Sequence, residues 1–154
     1  MMKRKFVVTL MAIAACFWAC ESERDSNPKL LLDAATDEMA QYKVLGDINR
    51  QMQGIWRSDD DSKSELRIEG DKVTSIYDGK QVSEERFAWD LKCALACSQG
   101  MGDLSQTLCF KLETTSNAAC YGLISLSEKK LKYSMMPGAG KTLSYTKTGD
   151  LTKK

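Results

Sequence analysis

Beyond Gly54 apolar and polar residues alternate along the chain in short blocks. Leu66 and Ile68 alternate with charges between Glu65 and Glu69, Gly70-Asp71 turns the chain, and Val73 to Tyr77 returns. Asp78-Gly79 then supplies the residue pair that a two-residue hairpin requires. Gln81 to Cys93 places Phe87, Trp89, Leu91 and Cys93 on one face, with Arg86, Asp90 and Lys92 on the other. After a loop, Thr107 to Glu113 sets Leu108, Phe110 and Leu112 against Cys109 and Lys111, and Cys120–Leu126, Lys130–Met135 and Thr142–Lys147 continue the series. With a short stretch around Trp56 this makes eight strands on hairpin-length links. The pattern predicts an all-β fold, an eight-stranded up-and-down antiparallel barrel whose interior is just wide enough for side chains or one small ligand. No crossover helix separates the strands, which argues against a parallel sheet.

Ahead of Gly54 the period changes. Asn27-Pro28 has the form of an N-cap followed by proline in the first turn, and "KLLLDAATDEMAQYKVLG" carries Leu31, Ala35, Met39 and Tyr42 at helical spacing. Gly46 is expected to end this helix, with a second short turn through Asp47 to Gln53; the segment 28–53 would cover an end or flank of the barrel, 54–154. Residues 20–27 are polar and read as a tether. The first nineteen have another character: Lys3-Arg4-Lys5 precedes an apolar run from Phe6 to Ala15, too short to span a bilayer as a mature helix. Basic flank, short apolar core and small residues before a cut mark an export signal.

Length and charge narrow the function. A chain of 154 residues has room for one domain. Without Lys3, Arg4 and Lys5 it keeps 19 basic against 21 acidic residues, and no block of Lys and Arg is present to track phosphates, so nucleic acid is not an expected partner. "MMPGAGKTLSY", Met135 to Tyr145, contains the letters of a phosphate loop, but that loop needs Gly where Met135 stands and must lead into a helix. Here an alternating strand follows, so no nucleotide is expected and "PGAGK" reads as a hairpin connection.

Ala15-Cys16 and Ala19-Cys20 both resemble the cleavage box of bacterial lipoproteins. Ile13-Ala14-Ala15-Cys16 fits the box itself better. Cys20 is favoured by Glu21-Ser22-Glu23, acidic as in surface-exported lipoproteins of the Bacteroides group, and because cutting there leaves an even set of four cysteines. The lipid is therefore expected on Cys20, with Cys16 as the alternative, and the membrane as a partner through its acyl chains. A plain secretory signal with incidental cysteines is the simpler alternative. Gly54-Ile55-Trp56, after a helical entry, resembles the Gly-x-Trp signature of lipocalins, where the Trp plugs the closed end of the barrel. "LRIEGDKVTSIYDGK" as the next hairpin and "KTLSYTKT" as a closing strand extend the likeness to the lipocalin-like domains of Bacteroides-group lipoproteins, over roughly Gln53 to Thr148. The resemblance implies a non-catalytic barrel in the bacterial cell envelope, lipid-anchored to the outer membrane, periplasmic or surface-exposed. Two departures stand out: the cysteine-rich loop "CALACSQGMGDLSQTLC" and strands short for a deep cup.

Little chemistry is in view. The chain has no His, so a Ser–His–Asp site is impossible and no catalytic residue is assigned. Cys93, Cys97, Cys109 and Cys120 lack paired zinc spacing, and in an exported protein they read as two disulfides. Of three connectivities, alternation favours Cys93–Cys120 with Cys97–Cys109, because Cys93 and Cys120 fall on the faces of Phe87 and Ile124, unless a bulge intervenes. Asp59-Asp60-Asp61 lacks the calcium-loop pattern, so neither metal nor cofactor is expected. Glu84-Glu85 points to opposite faces of a strand and makes a poor acid–base pair. Trp56, Tyr77, Phe87, Trp89, Phe110, Tyr133, Met135 and Tyr145 are expected to face inward or line a rim. They serve either as packing or as the lining of a pocket for a small apolar ligand. The competing class is an accessory that contacts an envelope protein through loops such as Ala94 to Gln106.

Overall fold

The computed structural model describes residues 26–93, 97, 104, 107–137 and 141–151. The signal segment, Cys16, Cys20 and most of the 94–106 loop lie outside the described residues. Two helices, α1 (Pro28–Asp33) and α2 (Glu38–Met52), precede eight strands: β1 (Gly54–Ser58), β2 (Ser64–Glu69), β3 (Lys72–Tyr77), β4 (Lys80–Asp90), β5 (Leu108–Glu113), β6 (Ala118–Leu126), β7 (Lys130–Met136) and β8 (Thr142–Gly149). Each strand pairs antiparallel with the next, and β1 pairs with β8, closing the barrel. This is the predicted up-and-down order.

Turn chemistry sets the register. At Asp78-Gly79 both residues have positive φ, 50° and 76°, the geometry of a two-residue turn that matches the right-handed twist of its strands. At Ser75/Ile76 and Leu123/Ser125 the ladders shift register. The second shift lets Leu123 and Leu126, three residues apart, both face the core, while Ile124 between them is outward and exposed.

The helical segment departs from the expected stripe. α1 starts as read, with the Asn27 side chain accepting from the Lys29 N–H at 3.0 Å and Pro28 in the first turn. It stops at Asp33, and Asp37 caps a second helix by accepting from the Ala40 N–H at 2.8 Å. α2 then runs straight through Gly46, and the buried stripe is Leu45, Ile48 and Met52. Met39 and Tyr42 point away from the barrel, 79 % and 65 % exposed. Glycine inside a helix costs only about 1 kcal/mol, which packing of that stripe against the barrel exceeds. Ser26, placed by sequence in the tether, is fixed by a bridge to Leu126.

α2 delivers the chain to the closed end. There Trp56 is fully buried, and its indole N–H donates to the Met52 carbonyl at 2.7 Å. Gly54 is required at this entry: its φ is +135°, and a Cβ there would come within 2.5 Å of Lys147 Cε and 2.9 Å of the Gly149 carbonyl oxygen. Above it one core joins Leu32, Leu45, Ile48 and Met52 of the helices to Leu66, Ile68, Val73, Leu108, Phe110, Leu123, Leu126 and Leu131 of the strands.

Candidate functional site

The barrel interior is where the predicted lining residues meet. Phe87 stacks on Phe110 (centroids 5.0 Å), Phe110 on Tyr121 (5.3 Å), and Tyr133 on Tyr145 (5.6 Å). Edge contacts tie Tyr133 to Phe110 and to Tyr121 at 5.6 and 5.4 Å. One aromatic wall thus crosses β4 to β8, because residues two apart on each strand face the same way and the registers bring them level. Tyr133 and Tyr145 bring their hydroxyls within 3.4 Å. Burial pushes the Tyr133 phenol well above its ordinary pKa, with Tyr145 adding to the effect, and burial likewise raises Tyr121. Both remain neutral hydroxyls that donate and accept hydrogen bonds.

The eight expected lining residues divide by height. Trp56 belongs to the floor, where Lys147 Nζ stands 5.6 Å from its ring centroid. Phe87, Phe110, Tyr133 and Tyr145 are buried in the core, while Trp89 is half-buried and packs against it from the lower end of β4. Tyr77 and Met135 stand at the opposite, open end, 48 % and 50 % exposed. Between rim and floor are residues that sequence reading left out. Tyr121 and Leu143 face inward yet are only half-buried. Glu85 faces inward too, since it is opposite the buried Val73 and two residues before the buried Phe87. Half-exposed side chains on the inner face of a closed barrel are reached by solvent through its end, so the interior is filled below and forms a shallow cup above. Alternation in "SEERFAW" could have found Glu85, read as an inward carboxylate instead of half of an acidic pair.

Glu84 and Glu85 do point to opposite faces: Glu84 takes an ion pair with Lys72 at 3.2 Å on the outside. The acidic run beyond β1 is absorbed by the surface. Asp59 accepts from Ser144 Oγ at 2.6 Å, Thr146 Oγ1 at 2.5 Å and Lys130 Nζ at 3.0 Å. Those hydrogen bonds, Ser144 first, lower its carboxyl to a pKa of about 2. Asp60 pairs with Lys141 at 2.9 Å, and Asp61 accepts from the Lys63 N–H at 3.0 Å.

The disulfides are Cys93–Cys109 and Cys97–Cys120, not the expected Cys93–Cys120 with Cys97–Cys109. Alternation misled in two places. β4 ends at Asp90, so Leu91 is exposed, and Cys93 turns back at φ 46° with its N–H bonded to the Asp90 carbonyl. Cys109 and Cys120 share the outer face, since Lys111 lies directly opposite Cys120, and Ile124, on the same face as Cys120, is outward and exposed. Both bonds therefore clamp the β4–β5 connection onto the outside of β5 and β6. Cys109 and Met136 are outward residues buried beneath it, their sulfurs 3.8 Å apart. Gly122 leaves room for it, since a Cβ there would approach Thr107 Cγ2 to 2.5 Å.

Among family models, curated proteins and solved structures, none matches this chain.

Proposed function

We propose that this chain is an exported, lipid-anchored envelope protein whose lipocalin-like barrel binds a small, largely apolar ligand at its open end, without catalysis. The observation that carries the reading is the cup: Tyr121 and Leu143 present half-buried aromatic and aliphatic surface inside the wall, below Tyr77 and Met135 at the rim. A site of this kind supplies apolar area with a few placed hydroxyls. Its shallowness suits a flat ligand, or the apolar end of a larger one.

Support for export and anchoring comes from the N-terminal signal pattern and from two disulfides, which persist in oxidising compartments. Ser26 is bonded at the closed end, through its bridge to Leu126. An acylated Cys20 is six residues away, a reach of about 20 Å when extended. The helical floor would then lie toward the outer membrane and the open end away from it.

Native mass spectrometry of the exported, oxidised chain tests the proposal. A co-purifying small molecule lost on denaturation is expected; a bare mass across several growth conditions counts against ligand binding. The second reading, an accessory that contacts another envelope protein, is favoured by Leu30, Leu31, Met39 and Tyr42, exposed apolar residues on the helices. In that case the bare chain would cross-link to a defined partner through α2, and Met39→Glu with Tyr42→Lys would abolish the cross-link.

A further inference from the structure

We propose that the ligand of the cup is a small organic cation, an amine on an apolar body, held by the Glu85 carboxylate against the partly exposed Tyr121 of the aromatic wall. The inference rests on the ligand-binding reading above and gives it a chemical class.

Three observations converge. The first is placement. Glu85 occupies an inward position on β4 between Val73 of β3 and the aromatic wall that starts at Phe87 and Phe110. Its position is just above the last β4–β5 pair, Arg86 with Glu113, where β4 runs on beyond β5 and the wall is low. On the outer side of that notch lies a cavity of about 500 Å³, lined by Glu85 and the outward Lys72, Glu84, Arg86 and Glu113, with turn residues between them.

The second is charge. Both cations beside the notch are held elsewhere, Arg86 by Asp71 at 2.6 Å and Lys72 by Glu84 at 3.2 Å. Among the described residues the Glu85 side chain makes neither ion pair nor hydrogen bond, although it is half-buried. A half-buried carboxylate on the inner face of an aromatic barrel is costly unless a positive charge joins it.

The third is the wall itself. Tyrosine faces attract cations through the ring quadrupole, and the half-buried Tyr121 with a carboxylate offers both a face and acceptors to an ammonium group. The negative charge of Glu85 reaches the tyrosines: after burial, it contributes to raising the phenol pKa of Tyr121 and, more weakly than burial and Tyr145, that of Tyr133. An anionic ligand would meet that charge directly, and a neutral one would leave it unpaired.

The test uses two matched probes, 2-phenylethylammonium and 2-phenylethanol, titrated into the oxidised protein by calorimetry or ligand-observed NMR. The ammonium is expected to bind about tenfold more tightly than the alcohol, and raising the salt from low to several hundred millimolar should weaken the ammonium alone. Glu85→Gln should remove the preference while leaving alcohol binding intact, which also reports that the variant is folded. Tyr121→Leu, which keeps the carboxylate, should weaken the ammonium more than the alcohol. Equal affinities for both probes in the wild type would overturn the cation assignment and leave the apolar cup standing. Failure of both probes at millimolar concentration would overturn the cup as well.

Discussion

Trp56→Phe probes whether the closed end is held as described. The substitution removes the indole N–H that donates to the Met52 carbonyl at 2.7 Å, and Met52 is itself 2 % exposed. A buried carbonyl left without its donor costs about 1–3 kcal/mol. The lost ring atoms come from a fully buried site, where two fewer buried carbon equivalents cost about 1.5 kcal/mol. Weaker attraction to Lys147, 5.6 Å from the ring centroid, adds about 0.5 kcal/mol. The sum is about 3–5 kcal/mol, or a fall in Tm of about 10–20 °C for a domain of this size. Urea unfolding followed by far-ultraviolet circular dichroism gives the stability directly, with an unchanged m-value expected. Trp56→Phe with Lys147→Met should lose little more than Trp56→Phe alone, since the ring is what the ammonium attracts. A loss below about 1 kcal/mol for Trp56→Phe would refute the account of Trp56 as the floor of the barrel, placing its hydrogen bond and packing elsewhere.

Other expectations follow from particular contacts. Cys97→Ser with Cys120→Ser opens a loop with a sequence separation of 23 and should cost about 3 kcal/mol, with Cys93–Cys109 surviving in a non-reducing peptide map; a Cys93–Cys120 peptide in the wild type would contradict the connectivity. Asp59 titrates at about 2 when folded against an ordinary 3.8, so the stability it contributes is present above pH 4 and is lost as the pH falls through about 2. Because Asp59 is largely exposed, Asp59→Asn should cost only about 1 kcal/mol at pH 6, and the difference from wild type should close toward pH 2 in acid denaturation curves. Gly122→Ala drives a methyl against Thr107 and should cost about 1–3 kcal/mol, of which Thr107→Ser, lacking the Cγ2 methyl, should restore most in a double-mutant cycle.

Strand order was legible because the turns declare themselves. Asp78-Gly79 and Gly70-Asp71 bracket β3 without ambiguity, and period-two alternation located every strand core. What alternation could not supply was where a strand stops or slips. Nothing in "WDLKC" distinguishes a strand running to Cys93 from one ending at Asp90, because Leu91 keeps the rhythm after the ladder has ended. Likewise Cys120 does share the face of Ile124, but that apolar residue is on the outside, because the shift beside it brings Leu126 into phase with Leu123, and a pairing argued from Ile124 as inward inherits the error. The helix stripe failed for a similar reason: Met39 and Tyr42 keep a helical period, but so do Leu45, Ile48 and Met52, and only the barrel end decides which is covered. For the site, eight aromatic and methionine positions were legible as inward or rim. Their heights, and the Glu85 carboxylate among them, depend on register between strands, which composition does not encode.

The seam between β1 and β8 sets how this barrel would tolerate being rewired. Ile55 pairs with Gly149, so the first and last strands begin and end side by side at the floor, while every other pairing joins strands adjacent in sequence. A linker from Gly149 to Ser26, which keeps the helices and the core residues they supply, would turn the meander into a ring with no privileged start. The ring could then be opened at Asp78-Gly79, a two-residue turn whose removal deletes no core residue. In such a permutant β8, the helices and β1 follow one another along the chain, and β3 with β4 becomes the long-range closure. The barrel is in that sense a cyclic object cut at one of its eight joints, and the helical floor marks where the cut was made.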